Sequence, residues 1–562
     1  MDKKSDLKLD KYLGAFLGAA IGDALGWPNE QNSKNTSKTQ PKNKAMFQKW
    51  SRYDGGRFWS HYEDIMPGEY SDDTQLLIAT ARSLNHDQGW SKYFSKVELP
   101  AWISYERGGG GATKRAAAAW KKGNNPWSVD KGSMGDIKRY FNAGGNGVAM
   151  RILPHIFRNE DNPEDVMYQV VLNGIFTHGH PRALIGATLY ADALIFLSNI
   201  KGTLGYGELV EHLLKRKEIW GKFPDIQNMN SWLNNADKVL NSKYMDVWNS
   251  VIDEVIDLLK LAKQGLDEGA LDMGNEILEK LGCFDKKVNG AGTVTAVAAI
   301  YLASKYASSP DLGIIEPAYL KNADTDTLAS MTGGLLGMLH GTGFISASWI
   351  DIQDYDYIKD IVHGKVNEED NEQDKEQKLE VLDYTNSAFN MKLKTLKPGE
   401  SIEALPFGKL TLKDKKQNKS NSTGSLIHTL KLISEVGQSI FIKTFEKAPE
   451  EKPQNQTKTG EQQSLNTATS RQQSIPTNNI PERMEYRPLL DSNKVRSLAN
   501  ILPENMPNDQ CFFFISDIMA ELERNKTGRL DEGGLNYLMK KWTKYKISIR
   551  EIQRVINVIR TR

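Results

Sequence analysis

Residues 12–28 read YLGAFLGAAIGDALGWP, and their spacing predicts the fold. Gly14, Gly18, Gly22 and Gly26 fall every fourth residue, so on a helix they form one slowly drifting stripe. Glycine costs about 1 kcal/mol per helical position relative to alanine, so the stripe needs a compensating contact. Close backbone approach by a second helix supplies it. The same spacing marks membrane helices, but Asp23 interrupts the run and its apolar part falls short of about 20 residues. The stretch predicts a central helix in a mainly α core. It ends near Pro28, with the Glu30 carboxylate just beyond.

Downstream, Gly68-Glu69-Tyr70-Ser71-Asp72-Asp73-Thr74-Gln75 opens an apolar helical run through Leu76, Leu77, Ile78 and Ala79. The pattern recurs as Asp324-Thr325-Asp326-Thr327, again ahead of a small-residue helix. Carboxylates and hydroxyls are the ligands that Mg²⁺, Mn²⁺ and Ca²⁺ prefer. Each cluster also makes a good helix cap, because Ser, Thr and Asp suit the positive end of the helix dipole. Two such clusters facing each other would hold two hard cations without His or Cys, and their pairing favours metal.

Composition narrows the classes. The 562 residues suffice for about two to four domains. A formal net charge of +1 gives no global field for nucleic acid or membrane. Two cysteines, Cys283 and Cys511, exclude a disulfide framework and a Cys-rich zinc site. The charged start Met1–Asp6 shows no signal-peptide pattern, so a cytoplasmic location is expected.

Between the acidic clusters lie several candidate ligand contacts. Residues 31–67 read as a long polar and aromatic loop. Gly108–Gly111 lacks the lysine and spacing of a P-loop. Gly144–Arg151 is a glycine-rich turn opening an apolar helix, where free N–H groups suit an anion. In Thr177-His178-Gly179-His180-Pro181 no third His or Cys is suitably placed for zinc, so hydrogen bonding or helix capping is the plainer role.

Taken together these stretches resemble the ADP-ribosylglycohydrolase family. The resemblance is carried by LGAFLGAAIGDALGWPNE (13–30), GEYSDDT (68–74), GNGVAMR (145–151), THGHP (177–181) and DTDTLASMTGGLLG (324–337), in the family's order. It implies an all-α catalytic domain, here residues 8–350, with two Mg²⁺ or Mn²⁺ ions. It also implies hydrolysis of the bond joining ADP-ribose to an acceptor: an ADP-ribosylated protein or another ADP-ribose conjugate. Carried over, the metal ligands fall on Ser71, Asp72 and Asp73 and on Asp324, Asp326 and Thr327. Glu30 and Asp73 are the implied catalytic carboxylates. Asn146, Gly147 and His178 line the implied ADP-ribose groove, and Arg151 supports that loop. Some members carry a further acid between the first cluster and the GNG loop, for which Glu106 and Asp136 are the candidates.

Beyond residue 350 the composition changes. An acidic stretch spans 366–378. Residues 384–446 are expected to form a small β-rich module, with strand-like runs at Ala388–Leu393, Leu410–Leu412 and Ser439–Lys443 and a hairpin tip at Lys413–Thr423. Residues 447–482 read as a flexible linker, and 484–562 as a C-terminal helical domain. Asn525–Asp531 lacks the acidic positions of a calcium loop. The basic run to Arg562, with Ile547, Ile549, Ile552, Val555, Ile556 and Ile559, reads as an amphipathic helix or as a contact for a protein partner or nucleic acid. A non-catalytic ADP-ribose reader and a two-metal phosphohydrolase are the competing classes, told apart by product.

Overall fold

The computed structural model describes residues 3–30, 43–55, 59–86, 89–128, 134–226, 229–268, 275–364, 379–421 and 423–446, with scattered positions between 514 and 556. The chain divides into two units, Met1–Pro453 and Gln454–Arg562.

The first unit is mainly α, as the glycine stripe predicts. Helix α1 (Lys3–Gly26) lies against the Thr325–His340 helix at backbone distance. A Cβ on Gly18 would sit 2.3 Å from the Gly333 carbonyl oxygen, one on Gly22 2.2 Å from that of Ala329, and one on Gly26 2.2 Å from that of Thr325. The cost of glycine in a helix is thus offset by a contact that no larger residue permits. The pair is sheathed by the Pro181–Asn199 and Gly292–Lys305 helices, which share its apolar core. No helix among the described residues is long and apolar enough to cross a membrane.

The described part of 31–67 is more than a loop. Strands β1 (Trp50–Asp54) and β2 (His61–Ile65) form an antiparallel hairpin, pairing Trp50 with Ile65 and Asp54 with His61. Strict in–out alternation along His61–Ile65 and the cross-strand Tyr53–Tyr62 ring pair, 5.5 Å apart, stabilise it. Helix α2 (Asp72–Leu84) then carries the first acidic cluster.

The β-rich module exists and differs in detail. Its four strands, β3 (Ser401–Ala404), β4 (Gly408–Lys419), β5 (Leu426–Ser434) and β6 (Ser439–Glu446), form an antiparallel sheet in sequence order. The run at Ala388–Leu393 is helical, within Ser387–Thr395, rather than a strand. Asn386 caps it by accepting the Ala388 and Phe389 N–H groups, and Phe389 and Leu393 bury one face at a spacing of four. Most of the expected hairpin tip is the far half of β4, bent by a bulge between Leu412 and Asp414. Past it, Asn418 Nδ2 donates to the Tyr62 carbonyl and Asn421 N to that of Ser60, so the β4–β5 ribbon is fastened to the β1–β2 hairpin. The sheet shares one apolar cluster with the helical core: Leu410, Leu430 and Ile442 join Leu76, Trp102 and Tyr105.

In the second unit, helix Glu532–Lys541 packs with Phe514, Ile518, Ile547, Ile552, Val555 and Ile556 in a small core. Trp542 Nε1 donates to Asp517 at 2.8 Å. Four of the six apolar positions in the basic run are thus core, and Ile549 is exposed. The acidic stretch 366–378, the linker 447–482 and Asn525–Asp531 lie outside the described residues.

Candidate metal centre

Three helix ends converge on one place. The first is the end of α1, where a 3₁₀ turn (Trp27–Asn29) delivers Glu30 in extended conformation, its N–H bonded to the Trp27 carbonyl. The second is the N-terminus of α2. Ser71 caps it, accepting the Asp73 N–H at 3.3 Å. Asp23 of α1 adds a second cap from outside, accepting Ser71 N at 3.1 Å, Thr74 N at 3.0 Å and Thr74 Oγ1 at 2.6 Å. The third is the N-terminus of Thr325–His340, tied to α1 by Thr325 Oγ1 donating to the Gly26 carbonyl at 2.9 Å. The glycine stripe sets this arrangement, because the close α1 crossing brings Gly26 against Thr325.

Carboxylate oxygens of Glu30, Asp324 and Asp326 lie within 4.8 Å of one another. Asp73 adjoins them, with the Thr327 side chain and Asp324 both within interaction range. Burial is the main force pushing the Asp72, Asp73 and Asp326 carboxyls well above the usual range. Like charge adds to it: Glu106, Asp23 and Glu30 act on Asp72, and Glu30, Asp324 and Asp73 on Asp326. Asp73 Oδ2 is buried and accepts no hydrogen bond among the described residues. Crowded, desolvated carboxylates with an orphaned oxygen and two adjacent hydroxyl residues fit hard divalent cations, which would relieve this repulsion.

The GNG loop closes one side. Asn146 Nδ2 donates to Asp324 Oδ2 at 2.9 Å and to Thr295 Oγ1 at 3.1 Å, so its amide orients an acid of the cluster. Gly147 packs tightly on His178: a Cβ there would sit 3.1 Å from His178 Cε1. Buried Arg151 holds the loop through the Gly147 carbonyl at 2.7 Å, Asn173 at 2.8 Å and Thr177 Oγ1 at 2.8 Å. Burial, with Arg151 and Arg115 nearby, holds His178 down to about 3, so its imidazole is neutral and shares a 2.7 Å hydrogen bond with Thr177 Oγ1. His180 caps the next helix by accepting Arg182 N, and so has the plainer of its two roles.

The structure separates the two candidates for the further acid. Glu106 acts on Asp72 across a short distance, and its carboxylate accepts Gly109 N at 3.0 Å. Asp136 instead pairs with Arg139 on an exposed helix face. Sequence reasoning passed over Asp23, noting it only as an interruption of an apolar run. That interruption was the signal, since a carboxylate buried on a glycine-striped helix must have a partner.

A mainly α scaffold that gathers buried and half-buried acids from three helix ends offers the donor set that a metal ion could take. The chain belongs to the ADP-ribosylglycohydrolase family, whose sequence model matches residues 4–376. That membership makes it a relative of glycohydrolases of ADP-ribose conjugates, which are generally metal-dependent. Among solved structures it is similar to one described as an ADP-ribosylglycohydrolase-related protein complex. Sequence identity is 20% over 64% of this chain and 98% of the other, with a TM-score of 0.40. No curated protein matches it.

Proposed function

We propose that this protein is a metal-dependent hydrolase that releases ADP-ribose from a modified acceptor, a protein side chain foremost. The observation that carries the reading is the convergence of Glu30, Asp324 and Asp326 beside Asp72 and Asp73, in a chain of this family. Ser71, Asp72 and Asp73 on one side and Asp324, Asp326 and Thr327 on the other would hold two Mg²⁺ or Mn²⁺ ions. When bound, such ions supply Lewis acidity and a grip on vicinal ribose hydroxyls.

The chain's own groups account for the rest. Glycosidic cleavage passes through an oxocarbenium-like transition state, which a surround of carboxylates stabilises. Glu30 takes one proton of the attacking water as the water oxygen bonds to the anomeric carbon, and the acceptor leaves with the bonding electron pair and with that proton, handed on by Glu30. Asp73 is the alternative base. Asn146 keeps Asp324 in place, and the Gly147 backbone, with neutral His178 behind it, forms a wall that an ADP-ribosyl group can approach closely.

The test is to incubate full-length protein with arginine- and serine-ADP-ribosylated protein, in Mg²⁺ or EDTA, and assay free ADP-ribose. Metal-dependent release from either substrate supports the reading and names the linkage. ADP-ribose binding without release from either would point to a non-protein conjugate or a reader. Absence of binding would sink the reading.

A further inference from the structure

A buried ion network lies beside the metal centre, and one member comes from the appended sheet. Arg52 of β1 bonds Glu63 of β2 at 2.9 Å and Asp54 at 3.1 Å. Arg107 reaches Glu63 at 3.2 Å and Glu69 at 2.9 Å. Lys443 of β6 donates to Glu63 at 2.7 Å and to Asp54. Three cations thus balance three carboxylates. Burial would raise the Glu63 carboxyl, but Lys443, Arg52 and Arg107 hold it well below the usual range.

This network borders the metal centre through Arg107 and the residue that follows it. Its guanidinium lies 4.0 Å from the centre of the Phe441 ring, also on β6, and 5.6 Å from Trp27. The next residue, Gly108, has φ +103°, and a Cβ on it would sit 3.1 Å from Asp72 Oδ1 and 3.3 Å from Trp27 Nε1. Trp27 in turn accepts the Glu30 N–H. The family match ends at residue 376, so Lys443 and Phe441 lie outside the shared region.

We propose that Lys443 is a positioning residue for the metal centre: from the appended sheet it anchors Glu63, and Glu63 in turn holds Arg107, which sets the Gly108 backbone and Trp27 against Asp72 and Glu30. The sheet is then a working part of the catalytic unit as well as a neighbour of it. The inference rests on the hydrolase reading above for its kinetic arm and on cation binding for its other arm.

The test compares full-length Lys443→Met, Lys443→Arg and Lys409→Met with the parent. Lys409 serves as control because it is exposed on the same sheet and pairs only with Glu435 among the described residues. Readouts are Mn²⁺ affinity by calorimetry, kcat and KM for ADP-ribose release, and thermal unfolding. A small misplacement of catalytic groups costs up to about 100-fold in rate, so Lys443→Met is expected to lower kcat and Mn²⁺ affinity at least about tenfold with KM within about threefold. Lys443→Arg recovers most of both, and Lys409→Met matches the parent. If Lys443→Met does not fold, Asp54→Asn keeps the shape, removes one of the two charges holding Lys443, and is expected to lower both readouts about threefold.

Parental kcat and Mn²⁺ affinity in a folded Lys443→Met (or in Asp54→Asn, where that variant stands in) overturn the inference. So do a loss confined to KM and an equal loss in Lys409→Met. A parent without hydrolase activity defeats the functional reading only, and Mn²⁺ affinity then decides the role of Lys443. A parent that binds no Mn²⁺ overturns the inference outright.

Discussion

Asp23 accepts the Thr74 hydroxyl at 2.6 Å, joining the buried last turn of α1 to the first turn of α2. The same carboxylate takes two backbone N–H groups, so the orphan donors of one helix are satisfied by a side chain from another. This bond fixes the direction in which Asp72 and Asp73 leave α2. Asp23→Ala leaves those donors buried and unpaired and should lower stability by about 3 kcal/mol, read from denaturant unfolding. Cation affinity should fall with it. Unchanged unfolding and affinity would show that Ser71 alone suffices as cap.

Removing a carboxylate from the centre should act in the opposite sense on the metal-free fold. Asp72 and Asp326 are disfavoured first by burial and then by neighbouring acids. Asp72→Ala and Asp326→Ala should therefore keep or slightly raise the Tm of EDTA-treated protein. Both should lose the Mg²⁺-induced rise in Tm and at least about a hundredfold in hydrolysis. Normal turnover by folded Asp326→Ala protein would remove the two-metal reading.

The pH dependence follows from the same shifts. Asp72, Asp73 and Asp326 have folded pKa values above their unfolded ones. At intermediate pH the folded state therefore binds more protons than the unfolded chain. Their contribution is fully present below the unfolded value of about 4 and is lost as pH rises through the folded values. The stabilisation gained on adding Mg²⁺, measured as a Tm difference against EDTA, should therefore grow as pH rises from about 4. A gain independent of pH would mean that these carboxylates do not bind the cation. His178, lowered to about 3, stays neutral in the folded protein across this range, so its own contribution is the same with Mg²⁺ as with EDTA and cancels in the Tm difference.

The glycine stripe gives a steric prediction. A Cβ on Gly22 meets the Ala329 carbonyl oxygen at 2.2 Å, and that oxygen belongs to a helix that cannot retreat without opening the core. Gly22→Leu should cost more than about 4 kcal/mol or abolish folding. Gly110 has φ −66° and open space around its Cβ position, so Gly110→Ala should cost no more than about 1 kcal/mol, the N-cap preference of glycine over alanine. Thermal melts of the two variants separate close approach from a general intolerance of glycine replacement.

Much of the catalytic fold was legible because its signals are local. A four-residue glycine period can only mean a helix pressed against another backbone, and hydroxyl–carboxylate clusters ahead of apolar runs mark helix N-termini. The β1–β2 hairpin was hidden because its polar and aromatic residues resemble a loop until β4–β5 lies against it. The Ala388–Leu393 run was ambiguous because a short segment satisfies both periods, and the Asn386 cap decided it. Glu106 and Asp136 could not be ranked from sequence, since only the folded backbone brings Glu106 beside Asp72.

By itself the sequence determined which residues could serve as ligands, which helix had to be central, and to which family the pattern corresponds. Those properties live in residue type and short spacing. Tertiary structure alone decided that Glu30, Asp72 and Asp326 gather around one place, that Asn146 orients Asp324, and that Lys443 joins the ion network of Glu63 and Asp54. These contacts join residues tens to hundreds of positions apart. Their distances are set by how closely two glycine-lined helices and one appended sheet can pack, which no local pattern encodes.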